Sequence, residues 1–234
     1  MSEQQQRWDA VIIGGGAAGL FCAGLAGQLG KKVLVLDHAE VLGEKIRISG
    51  GGRCNFTNIN SSPANFLSDN PNFIKSAFSK YKPQDFINLV KSYGIAFHEK
   101  HKGQLFCDVS AKQIVEMLFS QCQKGSVVIR HPVVIEQVTQ DMHGWIVKTN
   151  HGVEHTRSVV MATGGLPVPA IGATDFALDI ARQFDLPVTA IRPGLVPLSF
   201  TSDEFSNLSE LSGLSVPVKI SAGQKGQRYG VCYF

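Results

Sequence analysis

The stretch that most narrows the fold is Asp9-Ala-Val-Ile-Ile-Gly-Gly-Gly-Ala-Ala-Gly-Leu20, followed by Lys32-Val-Leu-Val-Leu-Asp37. Val11-Ile12-Ile13 is a short apolar run of the kind found in a parallel strand buried on both faces. The glycines at 14–16 break it. Residues 17–29, rich in Ala, Leu and Gly, read as a helix able to lie close on a sheet, with Gly30 as its stop. Residues 32–36 read as the next buried strand. Together they predict a βαβ unit with a right-handed crossover. Residues 10–30 carry no charge, but seven of those 21 are glycine, which suits strand, turn and helix better than a membrane span.

Gly14-x-Gly16-x-x-Gly19 sits between the first strand and the helix, and Asp37 closes the second strand 18 residues beyond Gly19. That context gives the glycines a mechanism. Gly14 permits a tight turn, Gly16 lets backbone approach a pyrophosphate at the helix N-terminus, and Gly19 lets helix and strand pack closely. Asp37 is placed to accept hydrogen bonds from adenosine-ribose hydroxyls, and its charge repels a 2′-phosphate. The pattern serves NAD and FAD alike.

Residues 38–72 read as mostly irregular. A helix is expected from Pro83 through Tyr93, with short strands at 95–98 and 104–107. Ser110 and Gln113 form a capping-box pattern before a helix over 111–123. Segments 127–129, 133–139, 145–149 and 153–161 read as strands in an antiparallel meander that feeds a further buried strand, Val159-Val-Met-Ala162, ending in Thr163-Gly-Gly165. A helix over 174–184, capped by Thr174, follows. After Pro193 the pattern turns to β, with a hairpin expected from 216–221 and 227–233.

The chain has 234 residues, 44% hydrophobic and 18% charged, as expected of a globular protein with one large domain or one domain plus part of another. A net charge of +3 without a Lys/Arg block makes nucleic acid a weak expectation. Cys22, Cys54, Cys107, Cys122 and Cys232 form no CxxC and no metal-ligand spacing, which fits a reducing cytosol. The N-terminus is polar and is no signal peptide. Sequons at Asn55, Asn60 and Asn207 carry no weight in a cytoplasmic chain. Cys54 reads first as a small buried side chain; the alternative is a redox thiol whose pKa Arg53 lowers, but no second cysteine lies near it in sequence, so disulfide-reductase chemistry is not expected.

Ser49-Gly-Gly-Gly-Arg-Cys-Asn55, with Val41-Leu-Gly-Glu-Lys45 before it and Gly164-Gly165-Leu-Pro after, resembles the bacterial BaiN/YhiN-type flavoproteins, also described as aminoacetone oxidase family FAD-binding proteins. The resemblance runs from about residue 8 to 225. It implies an α/β fold: a Rossmann-like FAD-binding domain with a parallel sheet and a β-meander crossover, spanning 1–194, and the start of an inserted β-rich domain at 195–234. It also implies that Gly14, Gly16, Ala18 and Gly19 hold the pyrophosphate and Asp37 the ribose. Lys45, Ser49, Gly50, Gly51, Gly52, Arg53 and Asn55 would line the flavin side, Val133 would meet adenine, and Thr163, Gly164 and Gly165 would close over the cofactor. The family usually has Glu where this chain has Asp37, and often a basic residue where it has Glu44.

The expected activity is an FAD-dependent oxidoreductase passing a hydride or electron pair between a small-molecule substrate and flavin, with NAD(P)H or O2 as redox partner. No acid/base residue stands out. Family members are longer, so the chain is also read as a fragment, and an inactive FAD- or ADP-binding module is the second expectation. A plain NAD-dependent dehydrogenase is the third.

Overall fold

The computed structural model describes residues 7–194. The expected inserted domain at 195–234 and its hairpin lie outside the described residues. Residues 7–188 belong to one compact unit.

The βαβ unit forms as expected: β1 (Arg7–Ile13), α1 (Ala17–Gln28) and β2 (Val33–Leu36). The strands pair in parallel, Ile13 opposite Leu36. β6 (Val128–Arg130) adds in parallel outside β2. On the other side of β1 comes a meander of β7 (Ile135–Asp141), β8 (Gly144–Thr149) and β9 (Gly152–Met161). The six-stranded order is β6-β2-β1-β9-β8-β7.

The expected meander strand at 153–161 and the buried strand that it feeds are one element. β9 pairs antiparallel with β8 through Gly152–Thr156 and parallel with β1 through His155–Met161. Ten residues thus finish the meander and enter the parallel core without a turn.

Alternate side chains divide the core in two. Ile12, Val33 and Val35 face one side, with Leu20 of α1 and Ile114, Val115 and Leu118 of a later helix. Val11, Ile13, Leu34 and Leu36 face the other, with Val138 and Val147 of the meander. This period of two is the strand's own geometry. The helix on the first face is α5 (Lys112–Lys124), preceded by α4 (Pro83–Ser92).

The region from 38 to 72 is more ordered than expected. It holds α2 (Glu44–Ile48), a 3-10 turn over Ser49–Gly52, and β3 (Asn55–Asn58). β3 joins a second sheet in the order β3-β5-β4, where β4 is Phe97–Glu99 and β5 is Gln104–Cys107. Sequence period could not register so short a strand, because its stability comes from partners about fifty residues later. A short α3 (Lys75–Lys80) was also unexpected. The capping box before α5 does not close. Ser110 Oγ accepts from the Lys112 N–H, while Gln113 Oε1 is buried without a partner. α6 (Phe176–Gln183) begins after Asp175, with no side-chain cap.

Leu20 is fully buried in this arrangement and Leu29 is 71% exposed, although both belong to the α1 region. Leu20→Ala is therefore expected to cost about 2–5 kcal/mol in urea denaturation. Leu29→Ala should stay within about 0.5 kcal/mol. Equal losses would mean that α1 docks through a different face.

Candidate functional site

β1, β2 and β9 all end at one edge of the sheet, with Gly14, Asp37 and Ala162 as the next residues. Crevices outside the carboxyl ends of parallel strands are where open α/β sheets bind ligands. A cavity of about 1020 Å3 opens there.

The glycine turn is set by neighbouring backbone. Gly14 has φ +115°, and a Cβ on it would stand 2.3 Å from the Ala162 carbonyl oxygen. A Cβ on Gly19 would stand 1.8 Å from the Gly14 carbonyl oxygen. The Gly14 N–H donates to the Leu36 carbonyl at 2.8 Å, and the Ala162 N–H donates to that of Ile13 at 2.8 Å. Gly16 differs. A Cβ there would meet nothing within 4 Å, because Gly16 faces the cavity at the N-terminus of α1. The free N–H groups of that terminus favour an anion.

Asp37 is held on both oxygens. Oδ2 accepts the Gly15 N–H at 2.5 Å and Oδ1 accepts the Ala39 N–H at 2.7 Å. The carboxylate therefore ties the glycine turn to the end of β2, and it still lines the cavity with acceptor capacity to spare. This double clamp was not foreseen; the sequence reading gave Asp37 to ribose alone.

The three glycines at 50–52 answer a conformational demand. Their φ values are +58°, +65° and +82°, and Cys54 follows with φ +52°. Such a run of left-handed residues is strained for any residue with a Cβ. The turn is closed by the Cys54 N–H donating to the Ser49 carbonyl at 3.0 Å, and the Ala111 N–H reaches the Gly52 carbonyl at 2.7 Å.

Of the residues expected to hold a cofactor, Gly14, Gly16, Ala18, Asp37, Lys45, Ser49, Asn55, Thr163 and Gly164 line this one cavity. Gly165 enters through its carbonyl, which accepts from Lys45 Nζ at 2.5 Å and so straps α2 to the segment after β9. Gly19 lies in the packing beneath the turn. Gly50, Gly51, Gly52 and Arg53 shape the loop and are not part of the cavity wall. Val133 is buried in the core beside β2, its N–H donating to the Asp37 carbonyl at 2.8 Å. The cavity is also lined by an aromatic cluster of Phe21, Phe56, Phe86 and Tyr81, which no sequence motif marks.

Thr163 Oγ1 is buried on the cavity wall with no hydrogen-bond partner. A buried hydroxyl left unpaired costs about 1–3 kcal/mol, so a bound polar ligand is its natural partner. This orphaned donor, the open space at Gly16 and a cavity at the upper end of ligand-site volumes fit a long dinucleotide.

Burial, not a neighbouring cation, governs Cys54. Its pKa is raised because desolvation outweighs the hydrogen bond from Ser49, which fits the buried side chain and not the redox thiol activated by Arg53. Among the described residues no cluster of His, Cys, Asp and Glu has the makings of a metal site, and no helix is long and apolar enough to cross a membrane.

The fold and site define a dinucleotide-binding domain of Rossmann type. The family model "HI0933-like protein Rossmann domain" matches residues 8–216, and the chain belongs to that family. It is 48% identical over 217 residues to the ribosomal RNA dihydrouridine synthase of Escherichia coli K12, a match covering 93% of this chain and 54% of that protein. It is 24% identical over 214 residues to the 3-dehydro-bile acid delta(4,6)-reductase of Clostridium scindens, covering 90% and 51%. Glycine oxidase from Bacillus cereus aligns in structure with a TM-score of 0.48 and 14% identity, covering 70% of this chain and 57% of that one. The chain spans about half the length of the curated relatives it matches.

Gly16 and Gly19 should separate binding from folding. Gly16→Val points into open space and is expected to retain the wild-type melting profile while weakening adenine-dinucleotide binding about tenfold or more, read by calorimetry. Gly19→Val meets the Gly14 carbonyl and is expected to lose cooperative melting. A Gly16→Val protein that binds normally would remove the pyrophosphate from this turn.

Proposed function

We propose that these residues bind FAD and that the protein is a flavin-dependent reductase. The reaction proposed for it adds a hydride and a proton across the electron-poor carbon–carbon double bond of a uridine in ribosomal RNA. The observation that carries the reading is the cavity itself. Both dinucleotide motifs, through Gly14, Gly16 and Ala18 and through Thr163 and Gly164, line a single crevice that also takes in Asp37, Lys45, Ser49 and Asn55. The crevice combines an anion-favouring helix N-terminus, a carboxylate suited to ribose and aromatic rings, the groups that a ligand with a pyrophosphate middle and a planar head calls for.

FAD, when bound, supplies the two-electron carrier. The chain's part is to hold it. Gly14, Gly16 and the α1 N-terminus would take the pyrophosphate, Asp37 would accept from the adenosine ribose, and the Thr163 hydroxyl would donate a hydrogen bond to a cofactor oxygen. The relatives support a reductase over an oxidase. Two with unlike substrates are named for the same chemistry, since dihydrouridine is uridine with two hydrogens added and a delta(4,6)-reductase saturates an alkene. NAD(P)H is the proposed electron donor. This reading departs from the expected small-molecule substrate and from the low weight that net charge gave to nucleic acid. A cytoplasmic location remains part of the proposal.

The purified chain is expected to carry flavin absorbance, or to take up FAD on reconstitution, and Asp37→Ala should weaken uptake about tenfold or more. Deleting the gene should remove a two-hydrogen mass increment from one rRNA uridine, and re-expression should restore it. Flavin uptake with unchanged rRNA would sink the substrate. Absence of uptake would sink the cofactor. FAD uptake without turnover by the isolated chain would favour a binding module.

A further inference from the structure

Cys54 and Cys107 are 53 residues apart and carry no sequence motif, yet the fold brings them together. Cys54 immediately precedes β3 and Cys107 ends β5. Asn55 is the ladder partner of Phe106, and the Cys107 N–H donates to the Arg53 carbonyl at 2.8 Å. Residue 54 is thus bracketed by two residues bound to 106 and 107. Cys54 and Cys107 are each the next residue beyond the last ladder pair, Asn55 and Phe106, whose facing Cα atoms are typically about 4.5–5.5 Å apart; a disulfide spans about 4.4–6.8 Å.

The side chains share a side. Cys54 and Cys107 belong to one buried cluster, while Phe106 turns the other way to stack on His98. Each thiol is raised by burial, Cys107 to about 11, and the Cys54 charge contributes to the shift at Cys107. Among the described cysteines only these two act on each other; Cys122 instead donates to the Leu20 carbonyl at 3.3 Å, and Cys22 is raised by burial alone. The pair is also asymmetric in access. Cys54 lines the cavity, whereas Cys107 is fully buried behind it.

We propose that Cys54 and Cys107 form a reversible dithiol–disulfide site, oxidised by a hydroperoxide that enters through the cavity. Cys54 sulfur attacks the peroxide, forming a sulfenic acid and releasing water. Cys107 sulfur then attacks the Cys54 sulfur, forming the S–S bond and releasing a second water. Two thiols lose two electrons and hydrogen peroxide gains them. The bond fastens the 49–55 loop, with its left-handed run, to β5. The proposal does not depend on the reaction assigned above.

The test uses the full chain, reduced, freed of reductant, treated with hydrogen peroxide, then denatured and alkylated with iodoacetamide. The chain has five cysteines, so the reduced protein should take five alkyl groups and the oxidised monomer three (five minus the linked two). Non-reduced peptide mapping should find one cross-link, between the peptides holding Cys54 and Cys107, and dithiothreitol should return all five sites. Cys54→Ser and Cys107→Ser should each abolish the cross-link. Peroxide treatment in denaturant should lose the preference for this pair. Five alkylations after peroxide, a different pair linked, or Cys54 oxidised to sulfinic acid without a cross-link would each overturn the proposal. If a serine variant fails to fold, the wild-type cross-link map decides alone.

Discussion

Three stretches of backbone meet where Gly14, Gly19 and Ala162 come together, and the rest of the site depends on that meeting. A Cβ at 14 or 19 would lie well inside contact distance of the Ala162 or Gly14 carbonyl. Nothing but hydrogen fits. The close approach lets α1 begin directly over the end of β1, so its free N–H groups point along the sheet edge. It also sets the end of β9 against the turn, which brings Thr163 onto the same wall as Gly16.

Asp37 converts that packing into a binding edge. Its two oxygens hold Gly15 and Ala39, fixing the turn to β2. Lys45 performs a similar task across the cavity by holding the Gly165 carbonyl. Both side chains resemble ligand-binding groups in the sequence, and both are also structural ties within the protein. Charged groups held by several partners lose little further entropy when a ligand arrives, which is the physical meaning of a preorganised site.

The loop at 49–55 combines conformational strain with a buried thiol. Its three glycines are needed for their dihedral angles, and all stay off the cavity wall. Ser49 and Asn55 at its ends reach the cavity instead. Cys54 sits between these functions, left-handed, buried and adjacent to the cavity. Its partner Cys107 was invisible in the sequence because the ladder that pairs β3 with β5 joins residues about fifty apart.

The sequence alone determined the βαβ unit, the helices expected over 83–93 and 111–123 and found at 83–92 and 112–124, and the glycine and acid positions. These follow from local apolar period, from turn residues and from spacing within about thirty residues, all of which act before any distant contact forms. Tertiary structure decided the rest. It made β9 a single strand serving two partners, because only a completed β1 offers the edge that its second half needs. It ordered the 38–72 region through β5, left the Ser110–Gln113 box open, and turned Asp37 into a clamp between Gly15 and Ala39. It also decided between the two readings of Cys54 in favour of the buried side chain, since burial is a property of the packed core and cannot be read from the charge of the next residue.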